Sequence, residues 1–155
     1  MTDFWNKRYS EEEYVYGELP NEFFAEQLGK LKPGKILFAC EGEGRNAVYA
    51  ASKGWETYAF DSSLAGKDKA DDLAKKFKVF IDYKLSSAEN ANYDEQSFDA
   101  VVFIYAHLPE ELRKPLHQKA VKWLKPNGIF ILEAFNKKQL ANSSGGPKNE
   151  AMLYS

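Results

Sequence analysis

Cysteine is nearly missing from this chain of 155 residues: Cys40 stands alone, which excludes an intrachain disulfide and a cysteine-rich zinc site. Histidine is scarce as well. With only His107 and His117 no histidine metal cluster can form, and carboxylates by themselves make a weak hard-cation site, so no metal is expected. Neither sign of charge dominates, since 21 Lys and Arg stand against 23 Asp and Glu for a net of −2. No broad basic field exists to hold a phosphate backbone, and nucleic acid is not expected as a partner. Long apolar runs are lacking too. The longest, Ala100 to Ala106 with Tyr105 inside it, falls far short of the roughly 20 residues a membrane helix needs. The N-terminal stretch from Met1 to Glu13 is polar and charged where a signal peptide places an apolar block, so the chain reads as cytoplasmic and free of membranes. A Gly-x-Ser-x-Gly elbow is also missing, which leaves hydrolase chemistry with little support.

What is present suffices for a core. Hydrophobic residues make up 44% of the chain and aromatic ones 15%, and the length suits a single domain over residues 1–155. Phe23, Phe24, Leu28 and Leu31 recur at helical spacing after Pro20-Asn21, and Lys32-Pro33-Gly34 stops that helix. Lys35 to Cys40 is a short continuous apolar run, the mark of a strand covered on both faces and therefore of a parallel sheet. The pattern then predicts a helix from Asn46 to Lys53 closed by Gly54, a strand from Trp55 to Asp61, and a surface helix from Leu64 to Phe77. Val79 to Tyr83 follows as strand three and Phe98 to Tyr105 as strand four. Pro109 to Lys125 reads as a helix with Pro115 kinking or restarting its first turn, ended by Pro126-Asn127-Gly128, and Ile129 to Phe135 makes strand five. That alternation builds a doubly wound, mainly parallel, Rossmann-like α/β sheet with right-handed crossovers. Residues 1–19 form an aromatic segment before it. Residues 136–155, rich in Asn, Ser, Gly and Lys, read as an irregular tail, as though the chain were cut short before its last strands.

In such sheets ligands sit at the C-terminal ends of the strands, and the first βα turn lines the crevice. Here that turn is Cys40-Glu41-Gly42-Glu43-Gly44-Arg45-Asn46-Ala47. Gly42 and Gly44 allow close backbone approach, and Asp61 at the end of strand two is placed to accept hydrogen bonds from ribose hydroxyls. A nucleoside-containing cofactor follows. Gly42-x-Gly44-x-x-Ala47 also satisfies the dinucleotide fingerprint, so a nicotinamide-dependent oxidoreductase stays open on this pattern. Charge separates the two, because Glu41 and Glu43 would oppose a pyrophosphate whereas S-adenosylmethionine carries no phosphate and two cationic groups. The acidic turn favours the methyl donor. Arg8 is the residue of the N-terminal segment able to pair with the donor's carboxylate.

Taken together, Phe4-Trp5-Asn6-Lys7-Arg8-Tyr9 with Tyr14-Val15-Tyr16-Gly17, the turn from Glu41 to Ala47, Phe60-Asp61-Ser62-Ser63, Phe98-Asp99 and Leu124-Lys125-Pro126-Asn127-Gly128 resemble a known family. It is the class I S-adenosylmethionine-dependent methyltransferases, and within them the tellurite-resistance and thiopurine-methyltransferase-like branch. The resemblance covers nearly the whole chain. Two departures stand out: Phe38 replaces the usual acidic residue inside strand one, and Cys40 replaces the first glycine of the usual Gly-x-Gly-x-Gly turn.

The resemblance implies a methyltransferase acting on a small molecule, with a non-catalytic cofactor-binding fragment as the non-enzyme alternative and a monomer or homodimer as the assembly. The implied cofactor site comprises Glu41, Gly42, Glu43 and Gly44, Asp61 and Ser62, Ser87 and Ala88 after strand three, and Arg8. Trp5, Tyr9 and Tyr16 would form a lid, though as aromatics they equally suit a hydrophobic staple that docks the N-terminus. Tyr105 and His107, beside Ala106, would face the methyl group and orient the acceptor or take its proton, or else close the core and cap the next helix. Glu133 and Lys148 are candidates for the acceptor wall. His117 reads as a surface or packing residue, and Cys40, at the end of the strand-one run, as a small buried residue under the turn.

Overall fold

The three-dimensional description comes from a computed structural model and covers residues 2–10, 14, 17–104 and 108–133. In chain order these form α1 (Thr2–Tyr9), α2 (Glu22–Gly29), β1 (Lys35–Ala39), α3 (Arg45–Ser52), β2 (Glu56–Asp61), α4 (Leu64–Lys76), β3 (Asp82–Leu85), β4 (Phe98–Ile104), α5 (Glu110–Trp123) and β5 (Leu124–Glu133). The strands make one sheet in the order β3-β2-β1-β4-β5, with every pairing parallel. Strand order reverses beside β1. This is the doubly wound Rossmann-like sheet that the alternation predicts; β1 and β4 flank the point of reversal, and β2 ends beside β1.

The core has two faces. On one, Ile36 and Phe38 of β1 meet Phe24 and Leu28 of α2, Ala47 and Val48 of α3, and Ala70 and Leu73 of α4. On the other, Leu37 and Ala39 meet Leu116, Ala120 and Trp123 of α5. Burial on both sides explains why β1 reads as unbroken apolar sequence. Helix starts are chosen locally: the Asn21 side chain accepts from the Phe24 N–H at 2.9 Å, and the Ser63 hydroxyl accepts from the Gly66 N–H at 3.0 Å.

The N-terminal aromatic segment contains a helix, α1, in which Trp5 stacks on Tyr9 one turn later. Three expectations need correction. Strand three begins at Asp82 and not at Val79, because α4 closes through Lys78 at φ +57 and the Val79 N–H bonds back to the Ala74 carbonyl. Those amides belong to the helix end and are lost to the sheet, which leaves Phe80 exposed. Strand five starts at Leu124, ahead of the predicted Ile129: Leu124 pairs with Phe98 and Ile129 with Ala100, so Pro126-Asn127-Gly128 loops out between two paired stretches. Cys40 lies past the end of β1 in a left-handed conformation at φ +54, in the turn and not in the strand. His117 packs edge-on against Phe103 with centroids 4.8 Å apart, as a packing residue would.

Candidate cofactor site

The turn from β1 to α3 takes positive φ at alternate positions, +54 at Cys40, +67 at Gly42 and +88 at Gly44. Cys40 thus adopts the left-handed backbone that a glycine takes without strain, so the glycine-to-cysteine departure leaves the path of the turn intact. Burial pushes its thiol well above the usual range, with Asp61 adding to the effect. The two glycines are required for a reason the sequence does not show. A Cβ on Gly42 would lie 2.5 Å from the Tyr9 hydroxyl, and one on Gly44 would lie 2.5 Å from the Ala70 Cβ. Close approach here is to α1 and α4.

Both acidic residues of the turn face protein. The Glu41 carboxylate accepts from the Ala47 N–H at 2.6 Å, capping the first turn of α3, where the N-cap residue Gly44 has no side chain to do so. Burial raises its pKa to about 8 against the opposing pull of the Ala47 N–H and of Arg45. Glu43 is buried and pairs with Lys69 of α4 at 2.8 Å. Its charge is therefore neutralised within the protein and does not enter a ligand's field as the sequence suggests. The argument against a pyrophosphate survives in a sharper form, because the N-terminus of α3, where a dinucleotide's phosphates would sit, already holds the Glu41 carboxyl.

At the end of β2 the Asp61 carboxylate accepts from the Gly42 N–H at 2.9 Å and from the Ser63 N–H at 3.0 Å. Burial raises its pKa while these N–H groups pull it down. The Ser62 N–H bonds the carboxylate as well, so three of its roughly four lone-pair sites are used within the protein and one remains for a ribose hydroxyl. Ser62 follows directly and is half-buried. After β3, the Ser86 N–H bonds to the Asp61 carbonyl at 2.9 Å, which brings Ser87 and Ala88 beside Asp61, and Lys119 of α5 holds the carbonyls of Glu89 and Ala91 at 3.1 and 2.9 Å.

From the N-terminal side, α1 docks on the start of α4. The Asn6 side-chain oxygen accepts from the Ala65 N–H at 3.0 Å and from the Ser63 hydroxyl at 3.1 Å. Tyr9 is buried against Gly42 and Gly66, and the Arg8 guanidinium lies 5.9 Å from the centre of the Trp5 ring. The turn, Asp61, Ser62 and the α1 face are thus gathered at one end of the sheet. Tyr105, Ala106, His107, Tyr16 and Lys148 lie outside the described residues. Glu133 ends β5, paired in register with Ile104. The sequence reading missed Asn6 as the cap of α4, Lys69 as the partner of Glu43, and Tyr83, whose hydroxyl donates to the Gly42 carbonyl at 2.6 Å. No local pattern marks these three. A cavity of about 390 Å³ walled by Trp55, Tyr58, Val79 and Phe80 lies at the opposite, N-terminal end of β2 and takes no part in this site.

A parallel sheet with its first turn and acidic second strand end so arranged defines a nucleoside-cofactor α/β fold. A family model described as a methyltransferase domain matches residues 36–128, and the chain belongs to that family, the class I methyltransferases. S-adenosylmethionine is the family's cofactor. Among curated proteins none matches. The fold is similar to that of the PH0226 protein of Pyrococcus horikoshii, with TM-score 0.70 and 25% identity over 77% of this chain and 58% of that one. It is also similar to phosphoethanolamine N-methyltransferase 1 of Haemonchus contortus, solved with phosphoethanolamine and S-adenosylhomocysteine, at TM-score 0.70 and 18% identity over 99% of this chain and 34% of that one. TehB from Haemophilus influenzae gives TM-score 0.66 and 19% identity over 87% and 46%. The chain therefore spans less than two thirds of the length of each of these three proteins. Among the described residues no helix is long and apolar enough to cross a membrane.

Proposed function

We propose that this chain is one domain that binds S-adenosylmethionine at the β1–α3 turn and transfers its methyl group to a small-molecule acceptor. The observation that carries the reading is the Glu41 carboxyl on the Ala47 N–H at 2.6 Å, which closes the α3 N-terminus to a pyrophosphate and leaves Asp61 for a ribose. The turn from Gly42 to Gly44 lines the methionine end, Asp61 and Ser62 receive the ribose side, and Ser87 and Ala88 the adenine edge. Arg8 serves the donor's carboxylate. Glu41 and Glu43 act by shaping the turn. Trp5, Tyr9 and Tyr16 cover the bound donor and exclude water, and Tyr105 and His107 orient the acceptor or take its proton. The donor supplies an electrophilic methyl group, so a soft thiol or metalloid acceptor needs no base. The motifs of the N-terminal segment and the turn support the tellurite-resistance and thiopurine-like branch. The charge balance supports the absence of a nucleic-acid partner, and the reading takes the protein as a cytoplasmic monomer or homodimer.

Isothermal titration with S-adenosylmethionine, S-adenosylhomocysteine and NAD tests this reading. Saturable binding of the first two, lost in Asp61→Ala with the fold kept by circular dichroism, is the expected result. Binding of NAD alone would replace the reading with an oxidoreductase, and binding of none would leave a non-catalytic fragment.

A further inference from the structure

We propose that Tyr83 is a positioning residue for the methyl donor: its hydroxyl fixes the Gly42 peptide and so the shape that the turn presents to the ligand. This inference rests on the reading of the turn as the donor site. Glycine tolerates either orientation of its peptide groups, so a turn with Gly42 at φ +67 needs outside partners to select one. Two are present. The Gly42 N–H is held by Asp61 at 2.9 Å, and its carbonyl accepts from the Tyr83 hydroxyl at 2.6 Å, a contact bridging 41 residues of sequence.

The two partners differ in what the donor asks of them. Asp61 must also accept from ribose hydroxyls, so its hold on Gly42 is shared once the donor arrives. Tyr83 sits in register with Ala59 on the face of the sheet covered by α3 and α4, and is buried there with no second task. The carbonyl it holds is enclosed, since a Cβ at Gly66 of α4 would stand 3.1 Å from that oxygen. A buried carbonyl left without a donor is costly, and a glycine peptide can relieve that cost by turning away. Burial, together with Asp61 and Glu41, holds the phenol protonated far above neutral pH, so it donates at every working pH.

The test is Tyr83→Phe in the full chain, which keeps the ring and removes the hydroxyl. Thr57→Val is the matched control, because it removes a buried hydroxyl-to-carbonyl bond, Thr57 to Trp55 at 3.1 Å, at the far end of the neighbouring strand. Both variants should lose a similar amount of thermal stability. Only Tyr83→Phe should raise the Kd for S-adenosylmethionine and S-adenosylhomocysteine, by about tenfold, with Thr57→Val staying within about twofold. An unchanged Kd in Tyr83→Phe, or an equal rise in both variants, would overturn the inference while leaving the donor site standing. Failure of the unaltered chain to bind either ligand would overturn the donor site and this inference with it. Proton exchange on the unaltered chain gives a readout that does not depend on the variant folding. The Tyr83 hydroxyl proton, buried on the Gly42 carbonyl, should exchange slowly with solvent before any donor is added, and a freely exchanging hydroxyl until S-adenosylhomocysteine binds would equally defeat the proposal.

Discussion

The two ends of the sheet are built differently. At the C-terminal end of β1 and β2, the Gly42 N–H, Glu41 and Glu43 are held at 2.6 to 2.9 Å by Asp61, the Ala47 N–H of α3 and Lys69 of α4, the Gly42 carbonyl by Tyr83 of β3, and the backbone bends through three positive φ values. At the N-terminal end, Lys35 and Glu56 pair loosely at 4.0 Å in solvent, the Tyr58 hydroxyl donates to the same Glu56, and Phe80 is 80% exposed. The first end is desolvated and over-determined, so each change there leaves a buried group without its partner. The second is solvated at Lys35, Glu56 and Phe80, and its buried constraints are fewer, the Thr57 hydroxyl on the Trp55 carbonyl and the Lys35 N–H on Asp99. A fold of this kind concentrates its constraint where a ligand must find fixed geometry.

The largest break in that contrast is expected from Gly44→Ala. Its methyl group would meet the Ala70 Cβ at 2.5 Å and the Ala70 Cα at 2.9 Å, and its φ of +88 is strained for any other residue. A loss of about 3 kcal/mol or more in urea unfolding follows. Gly17→Ala shares the strain, at φ +77, with none of the described residues within 4 Å, and should lose only about 1 kcal/mol. Equal losses would show that the contact with α4 is unimportant.

A smaller, pH-dependent effect is expected from Glu41→Gln, whose amide oxygen can still accept from Ala47. The carboxyl titrates near about 8 in the fold, raised chiefly by burial, and near about 4.3 when unfolded. A raised carboxyl pKa contributes stability that is whole below the unfolded value and is lost as pH rises through the folded one. Thermal midpoints of parent and variant should therefore coincide at pH 4 and diverge in favour of Glu41→Gln by several degrees at pH 9. A divergence in acid would reverse the sign and refute the assignment. The smallest effect belongs to the far end: Phe80→Ser should move stability by less than about 0.5 kcal/mol in the same urea assay, and a loss above about 1 kcal/mol would mean that this ring packs in solution.

Much of the architecture was legible because its signals are local. The unbroken apolar run of β1, the Asn21 cap, and the glycines and Asp61 that mark the turn each depend on neighbours a few residues away. The start of β3 was misplaced because Val79 and Phe80 have strand composition but follow a helix end that captures the Val79 amide. The aromatic segment was read for its lid or staple role alone, although Trp5 and Tyr9 stand one helical turn apart, the spacing on which α1 stacks them. Glu41 and Glu43 were recognised as belonging to the turn, but the direction of their side chains depends on Ala47 and Lys69, and only packing brings Lys69 to Glu43.

The sequence by itself determined the order of elements, the parallel sheet, and the identity of the turn that lines its crevice. Periodicity, turn residues and charge are properties of adjacent positions, and folding does not alter them. Only the tertiary structure decided which polar groups face the ligand and which are consumed in holding the turn. Tyr83 on Gly42 and Asn6 on Ser63 join residues 41 and 57 positions apart, and a hydrogen bond of that kind has no existence until the chain has closed on itself.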